Sequence, residues 1–337
     1  MAVNVAINGF GRIGRLVLRA MVESGRDDLV PAVINDLGSV EANAHLFRFD
    51  SIHGRFPGNV EVRGDSITVR HQNRSWGPIK VTAERDPAKL PLAGIDVAME
   101  CTGRFTSKTA AGALLTAGAR KVLVSAPADG VDATVVYGVN DKTLTPGMTV
   151  VSNASCTTNC LVPMVKVLHD TWRVRHGYML TIHSYTGDQN TVDTLHKDLH
   201  RARAAAVSLI PTSTGAARAV GLVMPELKGK LDGSSIRVPT PNVSLVSLDV
   251  VLETTPSKDE VNEAMRRASE TTMRGILDYN TDPLVSSDFN HSAASCTFDA
   301  TQTTVVDGAL VRVMGWYDNE WGFSNRMSDT AALLGRI

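Results

Sequence analysis

The sequence predicts an α/β protein in which a doubly wound parallel sheet is combined with an α+β domain that has a largely antiparallel sheet. In the first half of the chain, strand-like apolar runs alternate with helical ones, which is typical of parallel sheets covered by helices. A glycine-rich segment separates the first strand from the first helix, and strands of the second half alternate in polarity as antiparallel strands do. At 337 residues the chain exceeds one ordinary core, so we expect two domains.

The composition excludes several classes of protein. The chain is 43% apolar and 20% charged, as globular proteins are, and its 34 Lys and Arg nearly balance 35 Asp and Glu. This balance indicates neither a nucleic-acid partner nor an anionic membrane. No uncharged apolar run approaches the roughly 20 residues that cross a bilayer, and we expect no signal peptide. Four scattered cysteines indicate a reducing compartment and no metal site, so we expect a cytoplasmic protein.

The first strand, the first helix and the loop between them predict a phosphate-binding turn. Residues 3–8 are a predicted strand and residues 12–24 a predicted helix. Gly9, Gly11 and Gly14 follow the pattern Gly-x-Gly-x-x-Gly. In that order they would allow a tight turn, close approach of a pyrophosphate, and close packing of helix on strand. The start of the helix would stabilise the phosphate charge.

An acidic residue makes this motif more specific. A second predicted strand, residues 29–35, ends at Asp36, which follows Gly14 by 22 residues. At that position a carboxylate accepts a hydrogen bond from a ribose hydroxyl, and its charge would repel a 2′-phosphate. The sequence therefore predicts a Rossmann-type domain that binds NAD rather than NADP.

Further strand and helix units extend the predicted parallel sheet. Residues 96–101 and 121–124 are predicted strands, and residues 107–117 are a predicted helix. Ligands of such sheets bind at the C-terminal ends of the strands. Ser125 directly follows a strand end and is therefore a candidate cofactor contact.

A cysteine at the start of a helix is the candidate nucleophile. Cys156 follows a predicted strand at residues 148–151 and precedes a helix-like stretch at residues 161–170, which Asn153 or Ser155 could cap. A helix N-terminus favours a thiolate over a thiol. Its polar neighbours argue against the usual role of a cysteine as a small buried hydrophobe. We therefore predict that Cys156 is reactive and that Cys160, one turn later, packs in the interior.

His183 is the candidate base. It follows a predicted strand at residues 178–182 and precedes a polar loop, a position suited to a side chain that takes a proton from a thiol. His53, in a polar turn at residues 50–54, is the alternative on the same grounds. Position along the chain does not decide between the two histidines.

Two segments of the second half have features of anion sites. Residues 211–215 precede a predicted helix at residues 216–223, and hydroxyls with free N–H groups at a helix start suit a phosphate. A plain helix cap would explain the same residues. Arg237 lies in a predicted strand that leads into a rigid turn, where a guanidinium could clamp a phosphate.

The remaining elements complete the α+β domain. Residues 244–252 and 309–316 alternate in polarity like antiparallel strands, and residues 258–270 are a predicted helix on one face of that sheet. Asn319 lies where a final helix is expected to begin. It could cap that helix and also reach a ligand amide.

Over nearly its whole length the sequence resembles the phosphorylating glyceraldehyde-3-phosphate dehydrogenase family. The motifs that carry the resemblance occur in the family's order, at residues 7–15, 35–37, 152–160, 183–189, 211–217, 237–242 and 316–325. It implies an NAD-binding Rossmann domain at residues 1–155, against which a C-terminal helix at residues 319–337 packs, and a catalytic domain at residues 156–318. It also implies a cytoplasmic homotetramer that acts in glycolysis.

The resemblance implies a role for each matching residue. Cys156 would be the nucleophile and His183 its base, with glyceraldehyde 3-phosphate and inorganic phosphate as substrates. The residues that match the family's substrate and phosphate contacts are Ser155, Thr157, Thr186, Thr214, Gly215 and Arg237. The residues that match its NAD contacts are Arg12, Ile13, Asp36, Arg85, Ser125 and Asn319, of which Asn319 would hold the nicotinamide amide.

Three alternatives remain at the level of sequence. Erythrose-4-phosphate dehydrogenase is a sister family with the same cysteine and histidine but little use for inorganic phosphate; residues 185–187 and 213–216 favour the phosphate-using family. A non-catalytic NAD-binding regulator would not need Cys156 and His183. A hydrolytic cysteine enzyme would not need the glycine motif. Residues 193–195, Asp-Thr-Leu, depart from the Asp-Leu-Pro of many NAD-specific members.

Overall fold

The computed structural model describes residues 2–337, which form eight α-helices and seventeen β-strands. The helices are α1 (Arg12–Glu23), α2 (Val40–Arg48), α3 (Lys108–Ala111), α4 (Ala113–Thr116), α5 (Cys156–Trp172), α6 (Ala216–Val223), α7 (Lys258–Glu270) and α8 (Trp321–Arg336). The first nine strands are β1 (Val3–Asn8), β2 (Leu29–Asn35), β3 (Asn59–Arg63), β4 (Ser66–His71), β5 (Arg74–Thr82), β6 (Val97–Glu100), β7 (Lys121–Val124), β8 (Ala133–Thr134) and β9 (Val150–Ser152). The others are β10 (Val174–Ser184), β11 (Ile210–Ser213), β12 (Leu231–Val238), β13 (Ser244–Leu252), β14 (Leu277–Asn280), β15 (Cys296–Asp299), β16 (Thr304–Val306) and β17 (Leu310–Tyr317).

The chain divides into two compact units. The first unit contains the chain up to Tyr137 together with Asp141–Ala154 and Ser324–Ile337. The second unit contains Gly138–Asn140 and Ser155–Phe323. The chain therefore enters the second unit directly before the candidate nucleophile and returns to the first unit within α8.

The first unit contains the predicted parallel sheet. Its strand order is β3-β4-β5-β2-β1-β6-β7-β9-β8, and all pairs from β5 to β8 are parallel. The predicted fold class is confirmed for this half. Two antiparallel pairs, β3 with β4 and β4 with β5, extend one edge and were not predicted from the sequence. A two-residue turn joins β3 to β4, and its Gly64 has φ +57°, as such turns require.

The prediction of one helix in the first unit is wrong in detail. Residues 107–117 form two short helices, α3 and α4, instead of one. Gly112 separates them, because glycine is the poorest helix former after proline. Ser107 caps α3 by accepting a hydrogen bond from the N–H of Ala110 at 3.2 Å.

The second unit contains the predicted sheet of largely antiparallel strands. Its order is β11-β12-β10-β13-β17-β15-β14, with β16 paired to β17. Only the pairs β10 with β12 and β14 with β15 are parallel. Helix α5 packs against four strands of this sheet and also contacts α6 and α7. This half likewise confirms the predicted fold class.

Helix α5 forms much of the buried interior of the second unit. Four of its apolar side chains, Leu161, Val162, Met164 and Leu168, are 0% exposed. The helix packs against β13 and β17, in which Val246 and Val313 are also 0% exposed. Across residues 2–337, each helix is either too short or too polar to cross a membrane.

Candidate active site and dinucleotide site

A cavity of about 310 Å³ opens in the first unit where β1, β2 and β6 end. The strand order reverses at β1, and open α/β sheets bind ligands where the order reverses. Four predicted cofactor residues line the cavity: Gly9, Gly11, Asp36 and Arg85. Within the described chain, the lining does not include Arg12, Ile13, Gly14 or Ser125. Arg12 forms an ion pair of 2.6 Å with Asp50.

The three glycines leave room for a phosphate at the start of α1. Gly9 has φ +92°, and a Cβ there would lie 2.7 Å from the backbone N of Thr102. A Cβ on Gly14 would lie 2.0 Å from the carbonyl O of Gly9, so α1 packs directly on its loop. A Cβ on Gly11 would meet no atom within 4 Å. The backbone before α1 therefore borders open space, and a pyrophosphate fits there beside the positive end of the helix.

Asp36 is held as a hydrogen-bond acceptor on the wall of this cavity. Its Oδ2 accepts from the N–H of Phe10 at 2.9 Å, and its Oδ1 accepts from the N–H of Gly38 at 3.1 Å. These bonds join the acidic residue to the glycine loop and fix the carboxylate. A ribose hydroxyl can donate to a remaining lone pair, whereas a 2′-phosphate would meet a fixed negative charge.

In the second unit, Cys156 is the first residue of α5. Ser155 caps this helix by accepting from the N–H of Thr158 at 3.1 Å. Ser155 is therefore the cap of the two that were predicted. The other, Asn153, accepts from the Thr330 hydroxyl at 2.8 Å. Ala154, directly before the cap, has φ +57°, a left-handed conformation that costs about 1 kcal/mol for a residue other than glycine.

His183 lies beside the thiol. The Sγ of Cys156 is 3.6 Å from Nε2 of His183. Nδ1 of His183 lies 2.7 Å from two groups: the carbonyl O of Ser184, which can only accept, and Nη1 of Arg237, which can only donate. In the tautomer that donates from Nδ1 to Ser184, the lone pair of Nε2 faces the sulfur, as a general base requires. The other candidate, His53, belongs to the first unit.

Burial dominates the charge state of this pair. It raises the pKa of the Cys156 thiol, although the charge of Arg237 and hydrogen bonds from Thr157 act in the opposite direction. Burial and then the charge of Arg237 lower the pKa of His183 to about 3. Both groups are therefore neutral at pH 7. The neutral Cys156 thiol differs from the expectation that the helix start alone would favour a thiolate.

The register of two parallel strands brings Arg237 to the pair. In β10 and β12, His183 lies opposite Arg237. Nη1 of Arg237 donates to the carbonyl O of Ser184 at 2.9 Å and lies 2.7 Å from Nδ1 of His183. The guanidinium thus opposes protonation of the imidazole and favours negative charge on the sulfur.

Thr186 belongs to the same cluster, together with two residues that the sequence analysis missed. The hydroxyl of Thr186 donates to Asp188, and Nη1 of Arg201 donates to the other carboxylate oxygen of Asp188 at 2.8 Å. Burial by itself would raise the pKa of Asp188, but the Thr186 hydroxyl and the charges of Arg237 and Arg201 hold it below its usual value. The loop after β10 therefore contains one anion between two cations.

This cluster contains buried hydrogen-bond donors that could bind an anion. Nε of Arg237 and Nε2 of Gln189 are buried, and within residues 2–337 neither has a hydrogen-bond partner. A buried donor without an acceptor costs about 1–3 kcal/mol, which a bound anion would recover. An oxyanion that accepts from Arg237 would therefore fit the site.

Thr157 is held by a tyrosine that the sequence analysis did not single out. The hydroxyl of Tyr317 is 2.9 Å from the hydroxyls of both Thr157 and Thr181. Its ring meets the imidazole of His183 edge to face, with centroids 5.9 Å apart. Tyr317 thereby supports both the first turn of α5 and the base.

Two further candidates occupy helix starts. Thr214 accepts from the N–H of Ala216 at 3.2 Å, and Gly215 directly precedes α6, which packs against α5. The expectation that Asn319 caps the last helix is wrong. Asp318 takes that place by accepting from the N–H groups of Glu320 and Trp321 at 3.0 and 2.7 Å. The Oδ1 of Asn319 instead accepts from the hydroxyls of Ser184 and Ser244, each at 2.9 Å.

Local sequence gave little sign of the additional site residues. Asp188 and Arg201 are 13 residues apart and meet through a loop, and Tyr317 is the last residue of β17, far along the chain. Asp188 and Tyr317 lie within two of the matched motifs, residues 183–189 and 316–325, but neither residue was assigned a role there. Nowhere in residues 2–337 do three or more His, Cys, Asp or Glu gather as a metal site would require.

Comparisons with known proteins agree with this arrangement. The model of the glyceraldehyde 3-phosphate dehydrogenase NAD binding domain matches residues 3–108, and that of the C-terminal domain matches residues 155–319. Proteins named glyceraldehyde-3-phosphate dehydrogenase from Xanthobacter flavus and Cereibacter sphaeroides are 64% and 62% identical, over the whole of both chains. The protein of that name from Geobacillus stearothermophilus is 51% identical over 99% of this chain and 98% of its own. The chain therefore belongs to the glyceraldehyde 3-phosphate dehydrogenase family and is an NAD-dependent oxidoreductase of an aldehyde group.

Proposed function

We propose that the chain converts D-glyceraldehyde 3-phosphate, NAD and inorganic phosphate to 1,3-bisphosphoglycerate and NADH, in glycolysis and gluconeogenesis. The observation that carries the proposal is the cluster around Cys156, whose Sγ lies 3.6 Å from Nε2 of His183. Arg237 lies beside this pair with a buried donor that lacks a partner within residues 2–337. A thiol, a base and an anion site are what this reaction needs, and the names of the similar proteins support the substrate.

The first step is attack of sulfur on the aldehyde. His183 takes the thiol proton at Nε2 as the Cys156 sulfur bonds to the aldehyde carbon, and it gives that proton to the aldehyde oxygen, so that a neutral thiohemiacetal forms. Thr186 and Arg237 hold the substrate phosphate. Because His183 is neutral before the step, it can act as base without first losing a proton.

The second half of the reaction passes through a thioester. NAD, which the glycine loop and Asp36 would hold, would supply the acceptor for the hydride of the thiohemiacetal carbon. A base removes the hydroxyl proton, for which Nε2 of His183 is placed once it has released the first proton. Inorganic phosphate, held by Ser155, Thr157, Thr214 and Gly215, attacks the thioester carbon, and an acyl phosphate leaves with the Cys156 sulfur restored as thiolate.

The experiment that tests the proposal is NADH formation by the purified protein. It is supplied with NAD, glyceraldehyde 3-phosphate and inorganic phosphate, and parallel reactions omit phosphate or substitute erythrose 4-phosphate. We expect strong, phosphate-dependent turnover of the triose. Faster turnover of the tetrose without phosphate would assign the chain to erythrose-4-phosphate dehydrogenase, the alternative that shares the cysteine and histidine. Absence of turnover on both aldehydes, with NAD still bound, would indicate the non-catalytic regulator.

We further propose a cytoplasmic homotetramer. Support comes from a segment of the second unit, residues 192–209, in which five apolar side chains are exposed: Val192, Leu195, Leu199, Val207 and Leu209. Such a patch is typical of a surface that a partner covers. Light scattering should give four times the 36.1 kDa chain mass, and cell fractionation should recover the activity with the cytosol. A monomer in solution would contradict the assembly.

A further inference from the structure

Buried polar side chains join the ends of three neighbouring strands beneath the dinucleotide cavity. Asn8 ends β1, Asn35 ends β2 and Glu100 ends β6, and they are 3%, 6% and 1% exposed. Asn8 and Asn35 line the cavity themselves, and Glu100 directly precedes two lining residues, Cys101 and Thr102. Glu100 itself is not among the lining residues, and neither the motifs nor the proposed reaction gives it a role.

Both oxygens of Glu100 act as acceptors. Oε2 accepts from Nδ2 of Asn8 at 2.5 Å. Oε1 accepts from the N–H of Thr102 at 2.8 Å and also from the Thr102 hydroxyl. Within residues 2–337 no cation offsets its charge, and burial raises its pKa although these donors act in the opposite direction. A buried carboxylate satisfied by neutral donors alone is costly to keep, so its persistence calls for a reason.

The hydrogen bonds continue from Glu100 across the sheet as a relay. Oδ1 of Asn8 accepts from Nδ2 of Asn35 at 2.8 Å. Oδ1 of Asn35 accepts from the N–H of Glu84 at 2.9 Å and from the Thr82 hydroxyl at 2.8 Å. Nδ2 of Asn35 also donates to the carbonyl O of Glu84 at 2.9 Å. The two amides thus have a fixed direction, set by a carboxylate at one end and by a backbone segment at the other.

We propose that Glu100 is a positioning residue for NAD. By accepting only, it orients the amide of Asn8 and through it that of Asn35, and it holds the turn at Thr102. The relay therefore fixes the glycine loop, the Asp36 turn and the segment at Glu84 relative to one another. The inference rests on NAD binding and not on the phosphorylating step of the proposed function.

The first test is Glu100→Gln. The new amide has to point its NH2 either at Nδ2 of Asn8 or at the donors of Thr102, so one donor faces another donor. We expect the Kd for NAD, measured by calorimetry without aldehyde or phosphate, to rise about tenfold. At saturating NAD, kcat and the KM for glyceraldehyde 3-phosphate should stay within about twofold of the wild type, because the relay does not touch the Cys156 cluster.

A double variant separates a relay from a merely buried acid. In Glu100→Gln with Asn8→Asp, the glutamine can donate to the new aspartate, which also accepts from Nδ2 of Asn35, while Thr102 keeps its acceptor. Each donor again has an acceptor, and the carboxylate has moved by one position. Asn8→Asp alone places two carboxylates side by side and should weaken NAD binding more than tenfold. We expect the double variant to bind NAD within about threefold of the wild type.

Asp132→Asn is the matched control. Asp132 also accepts from backbone N–H groups in the first unit, those of Thr149 and Val150 at 2.9 and 3.0 Å, but it does not line the cavity. The Asp132→Asn variant should have a lower melting temperature than the wild type and an unchanged Kd for NAD. The proposal is overturned if Glu100→Gln binds NAD like the wild type. It is equally overturned if the double variant fails to fold or binds NAD no better than the single variants, whatever the outcome of the aldehyde assay.

Discussion

At the scale of single residues, Cys156 carries the sharpest prediction. Cys156→Ala removes the only thiol in contact with His183 in the described chain, so turnover should fall by at least about 10⁴-fold. NAD binding should be retained, because the cavity that suits it lies in the first unit. Steady-state assays and calorimetry with NAD check the two statements. The control is Cys160→Ala, which removes a buried thiol one turn along α5 and should keep most of the activity.

Arg237 should tune both members of the catalytic pair. Its positive charge lowers the pKa of the Cys156 thiol and also that of His183. In Arg237→Leu the thiol pKa should therefore rise further, and alkylation by iodoacetamide at pH 8 should slow. The pKa of His183 should rise from about 3, which NMR of the imidazole can follow. The matched control is Arg218→Leu on α6, where the side chain is 67% exposed and should affect neither group.

Asp36 should set the preference for NAD over NADP. Asp36→Ala removes the ribose acceptor and the bond from the N–H of Phe10, and it also removes the charge that repels a 2′-phosphate. We expect NAD affinity to fall about tenfold and NADP affinity to fall much less. Calorimetry with the two nucleotides on the same variant provides its own control. Equal losses of affinity for NAD and NADP would mean that Asp36 does not contact the ribose.

At the scale of secondary structure, the cap of α5 should contribute to stability as well as to the site. Ser155→Ala leaves the N–H of Thr158 without its side-chain acceptor and should cost about 1 kcal/mol in unfolding free energy. Ser257→Ala, which removes the corresponding cap of α7, should cost about as much. Only the first should slow turnover, since only α5 begins with the nucleophile. A similar loss of activity in both variants would mean that stability alone controls the rate.

The elements with a clear apolar period were predictable from sequence alone. The bounds of β1, β2, β7, β13, α6 and α7 coincide with those expected. The first turn of α5 was not recognised as helix, because Cys, Thr and Asn are poor helix formers and Ser155 stabilises the turn through a single cap. The hairpin of β3 and β4 was missed because its alternation is short and half-exposed.

The site was predictable only where a strand or helix ends. Cys156 begins α5, Asp36 follows β2 and His183 is the last residue but one of β10, so local pattern and chain position point to them. Arg237 reaches His183 through the register of β10 with β12, and the relay of Glu100 crosses three strands. Pairings between distant segments depend on register, which the period of a single strand does not define. This is why Asp188, Tyr317 and Glu100 were not found from sequence.

At the scale of the whole molecule, the two units should respond differently to acid. His183, in the second unit, has a folded pKa of about 3 against 6.5 for an unperturbed histidine. The unfolded state therefore binds the proton first, and stability declines as pH falls from 6.5 toward 3. In the first unit, burial alone would raise the pKa of Asp132, but Lys108 and two backbone N–H groups lower it from 3.8 to about 2. The contribution of Asp132 to the free energy of unfolding is present above pH 3.8 and is lost only between pH 3.8 and about pH 2.

We therefore expect the second unit to lose stability first on acidification. Between pH 7 and pH 5 the shift of His183 corresponds to about 2 kcal/mol, whereas Asp132 contributes no change over that interval. Hydrogen exchange of the β10 and β12 amides, corrected for intrinsic rates, should report this loss, while β7 and β9 should stay protected. His183→Gln should remove about 2 kcal/mol of the pH dependence. A pH dependence that survives in His183→Gln would mean that other groups bind the proton on unfolding.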